Sequence, residues 1–227
     1  MTENQIPSRD PANDDSLTGL FRQVLDKHLQ NTDDMLPAQV IAFDRTTNRV
    51  QVKPMIKVLT TSGQTVGRAQ IIGLPVMQFG GGGMVMLFNL NPGDFGWIKA
   101  NDRDISLFLQ SGQETPPNTL RKHSFSDAVF IPDVMRGWTL AGEDAENAVL
   151  QTLDGTIRIA LWPDRIKLTA GSKTLTLSDD GAALVGDLSV TGAITATGQI
   201  TGAGIALSTH THSGVATGPY NTGTPNP

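Results

Sequence analysis

The sequence predicts an all-β protein with one N-terminal helix: a small OB-type barrel, followed by a triple-stranded β-helix wound from three copies of the chain. Three observations predict it. Apolar residues alternate with period two through most of residues 36–111, the pattern of half-buried strands. Glycine recurs every six residues at Gly186, Gly192, Gly198 and Gly204, while Leu188, Ile194 and Ile200 hold a second phase with Ala206 next in line. Helical spacing stands out at Leu17, Leu20, Phe21, Val24, Leu25 and Leu29, a stripe of about four turns.

Residues 1–35 comprise a polar, acidic start expected to be disordered and this amphipathic helix. The start lacks the basic-then-apolar order of a signal peptide. Asp14, Asp15 and Ser16 are all suitable N-cap residues. His28 lies beside the stripe and reads as a helix-surface histidine.

Residues 36–111 carry AQVIAFD, NRVQVKPMIKVL, AQIIGLPVMQF, GMVMLFNL, DFGWIKA and DISLFLQ, separated by TTN, TSGQTVG, GGGG and NPG. Five or six short strands with turn-like separators predict a Greek-key OB barrel, with a sandwich as the alternative. Residues 112–140 have little periodicity. They are expected to form an extended connector that lies on the barrel through Phe125, Val129, Phe130 and Ile131.

Residues 141–207 return to alternation in TIRIALW, RIKLTA and KTLTLS, then enter the six-residue repeat. A repeat this narrow cannot close its own core. Its apolar residues are small and few, so three chains about one axis fill the centre where one cannot, and a homotrimer follows. From Gly181 to Pro227 the only charged side chain is Asp187.

Composition narrows the function. The chain has no cysteine and a net charge of −5. Disulfides, thiolate metal sites and cysteine nucleophiles are excluded. Without a basic run, duplex nucleic acid is not an expected partner. No apolar run approaches the roughly 20 residues of a membrane-spanning helix.

Several motifs invite a chemical reading. Gly80–Gly83 lack the Lys-Ser/Thr and helix of a phosphate loop, and read as a loop between strands. Asp102 and Asp104 flank Arg103, and read as a solvated, charge-balanced turn rather than an acid–base pair. His123, Ser126 and Asp127 have triad residue types without a nucleophile elbow, and read as structural. His210 and His212 differ. On an extended strand, residues i and i+2 share one face about 6.5–7 Å apart. Three chains would bring six imidazole nitrogens to one axis, enough for an octahedral ion. Two ligands per chain do not match a four-coordinate zinc site, while iron, nickel and cobalt stay open.

GGGGMVMLFNLNPGDFGWIKANDRDISLFLQSG, RKHSFSDAVFIPDV and the terminal HTHSG resemble the central spike, or membrane-puncturing, proteins of contractile-tailed bacteriophages. The resemblance runs from about Leu36 onward. It implies a homotrimer with an OB-fold domain, then a triple-stranded β-helix narrowing to a pointed apex at residues 208–227. It also implies one Fe ion per trimer, held at the apex by the six histidines supplied by His210 and His212. It further implies a spike that caps the baseplate hub protein at the virion tail tip and is driven through the host outer membrane as the sheath contracts. The expected role is mechanical, not enzymatic. The alternatives are a receptor-binding tail fibre or adhesin tip, and a His-x-His metal-dependent hydrolase. The first would present aromatic surfaces, yet Tyr220 is the only aromatic residue after Trp162. The second needs further ligands and a base, and none follow His212.

Overall fold

The computed structural model describes residues 16–30, 32–60, 63–135, 140 and 142–209. The chain divides into two compact units, Met1–Thr139 and Leu140–Pro227.

The first unit opens with α1, Leu17–Gln30. Of the three cap candidates, Asp14 and Asp15 lie outside the described residues, and Ser16 does the work: its Oγ accepts the Gly19 amide at 3.0 Å. At the other end the Thr32 hydroxyl donates to the His28 carbonyl at 2.8 Å, satisfying one of the orphan acceptors of the last turn.

The barrel follows. β1 (Met35–Asp44) pairs antiparallel with β2 (Arg49–Pro54). The β3 (Val58–Leu59) and β4 (Thr65–Val66) ribbon intervenes before β5 (Ile71–Pro75) pairs back onto β2. A second ribbon, β6 (Phe79–Gly81) and β7 (Met84–Met86), precedes β8 (Phe95–Asn101), which pairs with β1. After α2 (Ser106–Ser111), β9 (Ser124–Pro132) pairs with β8. The sheet order is β5-β2-β1-β8-β9. A parallel bridge between Val76 and Phe130, with the Met77 amide donating to the Phe130 carbonyl at 2.8 Å, draws β9 towards β5 and nearly closes the sheet. This is the strand order of the predicted Greek-key barrel. Val40, Val50, Val52, Leu74, Ile98 and Phe130 fill its centre with almost no exposure. Gly96 lies directly beneath Phe130. A Cβ there would come within 2.4 Å of both the Phe130 ring and the Ile131 carbonyl.

Two expectations are corrected here. DISLFLQ is helical at α2, not a strand. The Asp104 carboxylate accepts the Ser106 amide at 2.9 Å and turns the chain, and Gly112 ends the helix at φ 64° with its amide donating to Phe108. The barrel also does not stop at residue 111. Its closing strand is β9, inside the stretch 112–140 assigned to a connector. The register of β8 and β9 shifts between Ala100 and Asn101, so Asp127 and Ala128 are buried consecutively. A bulge of this kind erases the alternation that marks a strand.

The second unit is an antiparallel meander of β10 (Ala148–Gln151), β11 (Ile157–Leu161), β12 (Arg165–Ala170), β13 (Lys173–Ser178) and β14 (Gly181–Val185). A short hairpin, β15 (Thr201–Gly202) with β16 (Ile205–Ala206), follows. Within the chain, residues 148–185 form a succession of antiparallel hairpins within the stretch 141–207 expected to wind as a β-helix. Among the described residues between β14 and β15, no strand is formed.

Candidate functional site

The polar clusters of the first unit are structural. Asp104 is buried, correcting its reading as a solvated turn residue. It accepts from the Thr119 hydroxyl at 2.8 Å and the Arg121 guanidinium at 3.2 Å. Arg121 also grips buried Asp127 through two bonds of 2.9 Å. A buried carboxylate held in this way is neutralised by its partners. The cluster fastens the segment after α2 onto the barrel. Asp102 remains exposed and pairs with Arg103 at 2.8 Å and His123 at 3.2 Å. His123 therefore meets Asp102 rather than Asp127, Ser126 is exposed, and no triad is assembled from these residues. Gly82 and Gly83 form a two-residue hairpin turn between β6 and β7, with φ of 60° and 84°. Two successive left-handed residues are what such a turn demands, so the glycine run serves chain reversal.

The second unit has an unusual distribution of polarity. Its strand register places Leu150, Ile159, Leu168, Leu175 and Leu184 in one transverse row. Beside it on the same face lies the row Ala148, Leu161, Ile166, Leu177 and Ala182. These two rows are wholly apolar, with Lys173 beyond them on the same face, yet Leu150, Leu161, Ile166, Leu177 and Leu184 are each 44–52% exposed.

The opposite face is covered over β11 and β12, where Ala160 and Thr169 are buried. Asp144 is fully buried against it, accepting from the Trp162 indole at 2.9 Å and pairing with Arg158 at 3.0 Å. Lys167 bonds Glu143, and the Arg165 guanidinium stacks over the Trp162 ring at 4.4 Å. Lys167 and neighbouring charges draw the Glu143 pKa below its ordinary value. A single-layered sheet with its apolar side bare presents the kind of surface that marks an interaction site.

The six-residue repeat likewise leaves apolar side chains exposed. Leu188 and Ile194 are 72% and 67% exposed. Gly186, Gly192 and Gly204 adopt φ of 144°, 138° and 81°. Gly198 is not among the positive-φ glycines, so only part of the expected corner set turns this way.

His210 and His212, the predicted metal ligands, lie outside the described residues. Among the described residues, no group of three or more His, Asp or Glu side chains could hold a metal ion. No described helix is long and apolar enough to cross a membrane.

Two family models match the chain. One is the phage protein Gp138 N-terminal domain, over residues 36–133, which spans the whole barrel including β9. The other is the GpV apex motif, over residues 204–226, which includes His210 and His212. No curated protein matches the chain.

Proposed function

We propose that this chain, a phage baseplate spike protein by its two matched domains, works as a homotrimeric tip that perforates the host outer membrane. Its family is structural and places it in the virion tail, associated with the baseplate. The observation that carries the trimer is the bare apolar face of the β10–β14 sheet. Eight leucine and isoleucine side chains fill its two central rows. Burying the exposed half of each is worth roughly 1 kcal/mol. Three such sheets about one axis would bury all three faces together and leave the charged, tightly bonded faces outward. The six-residue repeat would then find its strand partners in the other two chains.

Such a body would suit penetration. An interwoven helix has few free strand edges, and unpaired backbone groups and charges are costly in hydrocarbon. Force would come from the sheath, while the spike supplies stiffness. At the apex, His210 and His212 of three chains would provide six neutral imidazoles, a donor set that suits an iron ion. Iron would supply a fixed point that pins three chain ends.

Native mass spectrometry of the full chain with elemental analysis tests this reading. The expected result is three chains with about one iron ion, and no metal in a His210→Ala, His212→Ala double variant that stays trimeric. A monomer at micromolar concentration sinks the architecture; equal metal in both proteins sinks the apex. Leakage of a dye from outer-membrane vesicles, on insertion of wild type but not of a chain truncated after Leu207, tests puncture itself.

A further inference from the structure

The two faces of the β10–β14 sheet are treated differently by their own chain. The leucine-rich rows stay about half exposed. Over β11 and β12 the opposite face is covered by the turn that leads into β10, residues 142–147. That turn is closed by the Ala145 amide donating to the Gly142 carbonyl at 3.2 Å and the Asn147 amide donating to the Asp144 carbonyl at 3.0 Å.

Charge decides which face the turn takes. The five strands contain no acid. Alternation puts their cations Arg158, Arg165 and Lys167 on the turn's side of the sheet and Lys173 on the other. The turn supplies anions: Asp144 holds Arg158 and the Trp162 indole, and Glu143 holds Lys167. Lys167 foremost, then Arg158 and Arg165, draw the Glu143 pKa down, so Glu143 lies in the field of all three cations. Arg165 is met by Asp164 at 3.3 Å, and its carbonyl accepts the Trp162 amide at 2.9 Å. The Trp162 indole thus ties the β11–β12 corner to the turn. Asp144 is wholly buried, which is tolerable only with these partners, because an unpaired carboxylate is costly there. The partners are also near in sequence: 18 residues separate Asp144 from Trp162, and 24 separate Glu143 from Lys167. Loops of this size close far faster than separate chains meet at micromolar concentration.

We propose that residues 142–147 are a folding clasp, which closes β11 and β12 into an ordered hairpin within a single chain, ahead of any association through the leucine-rich face. The charged side of the sheet is then sealed by its own chain, and only the apolar side is offered to a partner. The inference goes beyond the spike reading and does not need it, since every contact of the clasp lies within one chain. Only a later, concentration-dependent step belongs to the proposed trimer.

The experiment refolds the full chain from urea at several protein concentrations and follows amide protection by pulsed hydrogen exchange and mass spectrometry. In the wild type, the amides of β11, β12 and Asn147 are expected to gain protection at a rate independent of concentration. In Asp144→Ala they should do so about tenfold more slowly or worse, in a step that quickens with concentration, while the barrel strands β1 and β8 refold at the wild-type rate. Wild-type protection of β11 and β12 that waits for a concentration-dependent step overturns the proposal. So does an unchanged rate in Asp144→Ala. If Asp144→Ala never protects its second unit, Trp162→Phe decides, because it removes only the indole bond: slower protection of β11 and β12 supports the clasp, and the wild-type rate overturns it. Absence of any concentration-dependent step, with early protection of β11 and β12 intact, supports the clasp and overturns the trimer instead.

Discussion

At the scale of single residues, stability rests on a few side chains whose partners are unambiguous. Asp44 closes the β1–β2 turn. It accepts from the Thr46 hydroxyl at 2.6 Å, the Thr47 hydroxyl at 2.8 Å and the Thr46 amide at 2.9 Å. These bonds, the Thr46 hydroxyl foremost, lower its pKa to about 2. Because the folded value lies below the unfolded one, near 4, the contribution is complete above pH about 4 and is lost as pH falls towards about 2. Asp44→Asn is therefore expected to melt lower than wild type at pH 7, with the difference narrowing across that acid window. A constant difference in melting temperature down to pH 2 would show that the charge is immaterial. Phe130 is the largest fully buried side chain among the described residues and sits on Gly96. Phe130→Ala should cost about 3–5 kcal/mol in urea unfolding of the barrel, since Gly96 offers nothing to refill the space.

At the scale of elements, the repeat and the helix make separate demands. Gly192, at φ 138°, occupies backbone space that branched residues rarely adopt, whereas Gly198 does not. Gly192→Val should therefore destabilise each chain by about 1–3 kcal/mol, and Gly198→Val by clearly less. Differential scanning calorimetry of the two variants distinguishes them, and equal melting would mean that the corners are set by the assembly rather than by the backbone of each chain. In α1, Ser16→Ala removes a cap worth about 0.5–2 kcal/mol. Amide exchange in the first turn, Leu17 to Leu20, should rise while the barrel is unaffected.

At the scale of the whole molecule, the proposed trimer links stability to kinetics. Three chains wound through one another separate only by unwinding, so the barrier to dissociation should be high. The full chain is expected to remain associated in detergent at temperatures that unfold a fragment ending near Gly142. Its melting temperature should also depend on scan rate. Reversible, scan-rate-independent unfolding at the fragment's temperature would argue for independent monomers. Acid should loosen the apex before the shaft, because imidazoles must be neutral to bind metal; metal release on lowering the pH from 7 to 5, with native mass unchanged, is the corresponding readout.

What the amino-acid order determined alone was local and periodic. The stripe from Leu17 to Leu29, capped by Ser16, is a helix because its neighbours lie three and four residues away. The runs that became β1, β2, β5, β8, β11, β12 and β13 were legible because alternation needs no knowledge of the partner strand. The glycine period was likewise legible, as was the His-x-His within the residues matching an apex motif. Other features depended on contacts distant in the chain. DISLFLQ alternates like a strand, yet Asp104 and Gly112 stop it at both ends as a helix. The closing strand β9 was hidden because a bulge buries Asp127 beside Ala128, and only Arg121 makes that burial tolerable. The bare apolar face of the second unit arises from register: pairing Leu150 with Ile159, Leu168, Leu175 and Leu184 concentrates on one side what each strand displays separately. Register is a property of pairs of strands, and in the proposed trimer covering that face is a property of the assembly, so neither is written in any single stretch of sequence.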